Sequence, residues 1–184
     1  MLKEIYLGND AGNDQKEAYT GTAELNLDTR VTVRQKIDSY LNTAAVIVVA
    51  GTGSARAEQF YGNEKTTLTI REGSVEDATL TGIGNIVLEN GAMLAQKAGT
   101  LTNVTLRDGG CLDVSGQTDP VISGDFTSSG KKNGILVVNR EGMVTINGTV
   151  SGMTQLQTGS RNFPGQMTAG KQYVRAEDCG EGNG

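Results

Sequence analysis

One stretch of this chain repeats itself at a fixed step. Thr67-Leu-Thr-Ile-Arg-Glu-Gly73 is followed eighteen residues later by Asn85-Ile-Val-Leu-Glu-Asn-Gly91, and after the same interval by Asn103-Val-Thr-Leu-Arg-Asp-Gly109. Leu68, Ile86 and Val104 fall in one apolar column, Ile70, Leu88 and Leu106 in a second, and Val75, Met93 and Cys111 in a third. A unit this short cannot bury its own apolar side chains, but stacked units can, with like residues above one another in a continuous core. The expected fold is all-β: a parallel β-helix, or solenoid, with coils of about 18 residues. Asn90-Gly91, Asp108-Gly109 and Asn147-Gly148 are predicted corners, since Gly, Asn and Asp accept the positive φ of tight turns.

Two other architectures fit parts of the pattern. An antiparallel sandwich or barrel also has turns every 8–12 residues or so, but it does not require fixed columns. A left-handed hexapeptide helix needs an aliphatic residue at every sixth position, and that series here runs Leu68, Ser74, Leu80, Ile86, Ala92, Ala98, Val104, Gly110. The series fails too often, so a right-handed coil is expected. A fourth unit follows when Val104 to Gly116 is laid without gaps on Leu136 to Gly148; the intervening Gly/Ser/Lys-rich residues, Asp119 to Asn133, then read as a protruding loop or irregular coil.

The flanks are less regular. Leu2, Ile5 and Leu7 alternate as in a first strand or cap, and residues 24–33 read as two strands. Residues 35–41 fit either a helical turn or a strand. Ala44-Ala-Val-Ile-Val-Val-Ala50 suits a strand covered on both faces, as in a parallel sheet. The polar stretch from Gly53 to Lys65 reads as a loop or short helix. Beyond Gly152 the pattern fades into an expected end cap, with a last strand at residues 172–175. The organisation expected is a single solenoid domain over residues 1–184: irregular N-terminal coils or a cap to 66, regular coils over 67–152, and a C-terminal cap and linker over 153–184. The Glu181-Gly-Asn-Gly ending reads as the start of a linker in a longer protein.

Composition narrows the chemistry. The 26 glycines are about twice the usual share of roughly 7%, while Trp is absent and aromatics make up 4%. No basic patch accompanies the net charge of −5, which argues against a nucleic-acid partner. With no histidine, a Ser-His-Asp triad and the commonest zinc ligand are missing. No apolar window approaches the ~18 residues of a membrane span, so no membrane insertion of this segment is expected. Cys111 and Cys179 form neither a disulfide framework nor a metal-ligand spacing. Cys111, in the column of Val75 and Met93, reads as a buried core thiol, and Cys179 as an exposed one in a polar tail.

Three motifs invite a chemical reading, and each has a plainer one. Ala45 to Arg56, with Gly51 and Gly53, resembles a strand entering a glycine-rich phosphate loop, but the dinucleotide fingerprint needs Gly or Ala where Arg56 stands, and a helix after it. Gly8-Asn-Asp-Ala-Gly-Asn-Asp14 resembles half of a calcium-binding repeat, with oxygen ligands from Asp10, Asn13 and Asp14; a single copy reads as a polar turn. Arg71, Glu89 and Arg107 share a column, predicting an alternating-charge ladder on the surface. Glu72 and Asp108, two coils apart, would stand roughly 9.6 Å from each other at ~4.8 Å per coil, near the carboxylate separation of an inverting glycosidase, but at a corner without a groove or aromatic platform. Asn103-Val-Thr and Asn147-Gly-Thr fit the glycosylation pattern, which an Asn/Thr-rich chain produces by chance. No catalytic residue, cofactor or metal site is assigned.

The rhythm of Asn103-Val-Thr-Leu-Arg-Asp-Gly-Gly-Cys-Leu-Asp-Val-Ser-Gly116, with Ala98-Gly-Thr-Leu-Thr before it, resembles the β-helical passenger repeats of self-associating autotransporter adhesins and related bacterial cell-surface proteins. The resemblance covers residues 67–116 and 135–152, and leaves the N-terminal third and the last 30 or so residues unmatched. It implies a non-enzymatic structural or adhesive segment of a larger bacterial protein, extracellular or at the cell surface. Its partners would be a host or cell-surface glycan or protein, or further copies of itself. The alternatives are a carbohydrate-active β-helix (a polysaccharide lyase or glycosidase) and a glycan-binding fibre module.

Overall fold

The computed structural model describes the backbone of residues 2–7, 22–27, 32–39, 44–49, 54–139, 143–158, 161–166 and 172–175, and the side chains of 59–75, 78–139 and 143–157. The regular elements are all strands, in the order β1 (Leu2–Leu7), β2 (Thr22–Leu27), β3 (Thr32–Ser39), β4 (Ala44–Val49), β5 (Ser54–Tyr61), β6 (Thr67–Ile70), β7 (Ser74–Thr81), β8 (Asn85–Glu89), β9 (Met93–Gly99) and β10 (Asn103–Arg107). There follow β11 (Cys111–Asp113), β12 (Val121–Ile122), β13 (Phe126–Ser129), β14 (Gly134–Val138), β15 (Met143–Ile146), β16 (Val150–Ser151), β17 (Met153–Thr158), β18 (Arg161–Gln166) and β19 (Gln172–Arg175). No helix of the described residues is long and apolar enough to cross a membrane.

The chain alternates between two sheets as it advances. One runs β1-β3-β5-β7-β9-β11-β14-β17-β18 and the other β16-β13-β10-β8-β6-β4-β2; a third side carries β12-β15-β19. Within the first two sheets every pair is parallel except β17–β18. This is a parallel β-solenoid, and its columns follow from the register. Leu68, Ile86, Val104, Phe126 and Val150 stack in β6, β8, β10, β13 and β16, and all five are buried. Opposite them stand Val75, Leu94, Leu112, Leu136 and Leu156, also buried. Ser128 enters the column of Ile70, Leu88 and Leu106 without an orphaned hydroxyl, because its Oγ accepts the Gly134 N–H at 2.8 Å.

Two corners repeat the same turn. Asn90 and Gly91 have φ of 53° and 77°, and Asp108 and Gly109 have φ of 50° and 85°. The flanking hydrogen bonds, Ala92 N–H to Glu89 O at 2.8 Å and Gly110 N–H to Arg107 O at 3.2 Å, close both as four-residue turns. Positive φ at both central residues is the signature of a type I′ turn, which favours Asn-Gly and Asp-Gly. Gly148 is different: it is not among the positive-φ residues, and a side chain there would meet the backbone of Gly124 in the preceding coil.

Several expectations change. Val75 does not share a column with Met93 and Cys111; Ser74 does. The Arg71–Ser74 corner is one residue shorter than its two successors, and a one-residue slip moves each side chain to the other face of a strand. Cys111 therefore points outward, half-buried, between Met93 and Ile135, and is not a core thiol. The fourth unit is out of phase as well: Leu136 stacks on Leu112, and Val104 on Phe126. Residues 119–133 are no protruding loop, since they contain β12 and β13, whose Ile122 and Phe126 are fully buried. Residues 54–61 form β5 where a loop or short helix was expected, and 35–39 belong to β3. Successive coils are not uniform, either. Glu89 and Arg107 are 18 residues apart, Asn103 and Asp125 22, and Asp125 and Thr149 24. The lengthening accompanies the third side, which starts as a single bridge from Leu101 to Ile122.

Candidate functional site

The face most regular in chemistry is the outside of the β6-β8-β10-β13-β16 sheet. Its inward positions are apolar apart from Ser128, so the alternate positions form three outward files. The central file is Thr69, Val87, Thr105, Thr127 and Ser151, each in register with the next. Ser151 Oγ donates to Thr127 Oγ1 at 3.2 Å. Parallel strands about 4.8 Å apart space these side chains as a regular file of hydroxyl and methyl groups.

The two flanking files are tied by side-chain bonds. On one side, Asn103 Nδ2 donates to Asn85 Oδ1 and to Gly84 O, both at 3.3 Å. Its Oδ1 accepts the Asp125 N–H at 3.0 Å, and Asp125 Oδ1 accepts the Thr149 N–H at 2.8 Å. Asn103 is thus committed to the ladder, whereas Asn147, in the other glycosylation-type triplet, is exposed. On the other side runs the predicted charge ladder: Arg107 Nη1 donates to Glu89 Oε1, and Arg71 Nε lies 4.0 Å from Glu89 Oε2. The Arg side chains are 56% and 51% exposed and that of Glu89 is 17% exposed. Such solvated pairs contribute about 0–1 kcal/mol each. The ladder orders the surface more than it stabilises the fold.

A groove lies around the corner from this face. Gly91, Asp108, Gly109, Lys132, Asn133, Ile135 and Gln155 line a volume of about 540 Å³. It exists because the turn after β13 runs through Gly130-Lys131-Lys132-Asn133, longer than the two turns before it, and overhangs Gly109. The overhang is pinned by Asp108, whose Oδ1 accepts the Lys131 N–H at 2.7 Å. The dilysine was visible in the sequence, but its value as a wall depends on recognising β13 as a stacked strand, which the assumed loop obscured. A second depression, of about 200 Å³ beside Gln96, Lys97, Asp113 and Ser115, is smaller than the ~300 Å³ at which small-molecule pockets begin.

Of the two carboxylates spaced like a glycan-cleaving pair, Asp108 accepts a backbone N–H and, contrary to the expectation of a corner without a groove, lines one, whereas Glu72 is exposed at its own corner. No cluster of three or more His, Cys, Asp and Glu able to hold a metal occurs among the described residues. Gly51, Gly53, Asp10, Asn13, Asp14 and Cys179 lie outside the described residues, although the segment after Gly53 enters a strand, β5, where a phosphate loop needs a helix. The Cys111 thiol is pushed up from 9.0 to about 11, first by burial and then by the neighbouring Asp113 carboxylate. It is therefore protonated, and a poor nucleophile, near neutral pH.

Compared with protein-family models, curated proteins and solved structures, the chain matches none.

Proposed function

We propose that this chain is a non-enzymatic adhesive and structural segment of a larger bacterial protein, exposed outside the cell, whose contact surface is the outward face of the β6-β8-β10-β13-β16 sheet. The observation that carries this reading is the in-register central file Thr69, Val87, Thr105, Thr127 and Ser151, flanked by an amide and a charge ladder. A flat rank of hydroxyl and methyl groups repeating at about 4.8 Å suits contact with an extended surface, a glycan layer or another protein, through many weak interactions that add up by multivalency. The right-handed winding belongs to this reading, since parallel strands of one sheet are joined by right-handed crossovers in ~98% of cases. The rhythm shared with autotransporter passenger repeats favours the same assignment.

The test is sedimentation of the labelled full chain with intact bacterial and epithelial cells and with insoluble polysaccharides. Wild type is expected to co-sediment with at least one surface. A Thr105→Lys, Thr127→Lys double variant, which puts long charged side chains on the face and leaves the core untouched, is expected to lose most of that binding. Equal binding by the variant would remove the face from the reading, and release of reducing ends from a polysaccharide would replace adhesion with catalysis.

A further inference from the structure

We infer that the groove beside the Arg107–Gly110 turn binds one acidic sugar residue of a glycan, with the anionic group on Lys132. The inference rests on the adhesive reading and gives it a ligand class, but on a different face from the hydroxyl file. The volume, about 540 Å³, falls within the roughly 300–1,000 Å³ of small-ligand sites and would take a sugar ring with part of its neighbour.

The lining fits that chemistry better than others. Lys132 is an exposed cation placed at the wall by the packing of its own stem: a Cβ on Gly109 would lie 3.5 Å from Lys132 Cβ and 3.6 Å from Cδ. The amides of Asn133 and Gln155 each offer both a donor and an acceptor, the pairing that neighbouring hydroxyls of a sugar require. Asp108 uses Oδ1 on the Lys131 N–H and keeps Oδ2 as an acceptor for a hydroxyl. Ile135, half-buried on the outer face of β14, supplies an apolar floor for the C–H side of a ring. The lining contains no aromatic ring, so a planar aromatic acid would find nothing to stack on. A single cation among mixed donors and acceptors suits a polyhydroxylated acid. Gly91 keeps the mouth open, as nothing lies within 4 Å of where its Cβ would be.

The neighbouring lysine provides an internal control. Lys131 contributes its backbone N–H to Asp108, and it is not among the groove-lining residues. Lys131→Gln and Lys132→Gln change the net charge equally, but only the second removes the proposed anion contact. Trigalacturonate, its methyl-esterified form and a sulfated trisaccharide would be titrated calorimetrically into the full chain. Trigalacturonate is expected to bind, the ester at least about ten-fold more weakly, as the loss of a charge-assisted hydrogen bond implies. Lys132→Gln is expected to lose the same factor and Lys131→Gln almost none. Preference for the sulfated sugar over the uronate would identify sulfate as the anion with the site unchanged. No binding of either acidic sugar, or equal weakening by the two lysine variants, would overturn the inference. Those outcomes leave the co-sedimentation result on the hydroxyl face untouched, and loss of co-sedimentation in the threonine double variant leaves this titration untouched.

Discussion

At the scale of single residues, the lesson of Cys111 is that phase decides chemistry. Cys111 does stand in the column of Met93, but that column continues to Ser74 instead of Val75 and faces outward, not into the core. Its outward, half-buried position beside Asp113 raises the thiol to about 11. Alkylation at pH 8 should therefore run about 100-fold slower than for a thiol at 9.0, since the thiolate fraction at a fixed pH falls roughly ten-fold each time the pKa rises by one. Iodoacetamide labelling followed by peptide mapping, with the urea-unfolded chain as reference, measures this ratio. The raised pKa also bears on stability. The folded state prefers the protonated thiol, so its contribution is complete below pH 9 and is lost as the pH rises towards 11. Labelling of folded Cys111 at the unfolded rate would contradict both.

At the scale of strands and corners, the sequence made one part of the fold legible and concealed another for a physical reason. Leu68, Ile86 and Val104 could be stacked by inspection because β6, β8 and β10 are joined through equal coils, and Asn90-Gly91 and Asp108-Gly109 because only a few residues accept two successive positive φ values. Ser74 against Met93, and Leu136 against Leu112, could not, because β8, β9, β10, β11 and β14, which belong to different sheets, show the same alternation of buried and outward positions. Nothing in one strand says which sheet it joins; corner length says that, and corners vary. The groove was illegible for the same reason, being a product of one longer corner. Corners also differ in how much they constrain. Gly152 has φ of 82°, and a Cβ there would collide with the carbonyl oxygen of Ser128 in the coil before. Gly91 has a similar φ of 77° with open space around it. Gly91→Ala should therefore cost only the left-handed strain, about 1–2 kcal/mol. Gly152→Ala adds overpacking against backbone and should cost about 2–5 kcal/mol. Urea unfolding of the two variants compares them directly, and equal losses would mean that inter-coil approach at Gly152 is not as close as described.

At the scale of the whole molecule, a solenoid is held by neighbour-to-neighbour contacts, so its coils should be removable as units and not as fractions. Asn85 stacks on Thr67 and is itself stacked upon by Asn103; Met93 stacks on Ser74 and is stacked upon by Cys111. Deleting residues 85–102 would therefore bring Asn103 to Thr67 and Cys111 to Ser74, each strand still entering its own sheet with its apolar side inward. The third side would stay continuous, because Ile83 would take the place of Leu101 beneath Ile122, and all three are buried. Deleting residues 85–92 is a smaller change, but it delivers β9 to the position of β8 and exchanges the sheets of every later strand. The 85–102 deletion is expected to keep a cooperative urea transition at a lowered midpoint, with the rod shortened by about 4.8 Å in solution scattering. The 85–92 deletion is expected to lose cooperativity altogether. If the shorter deletion proved the more stable, coil-by-coil stacking would not be what holds this chain together.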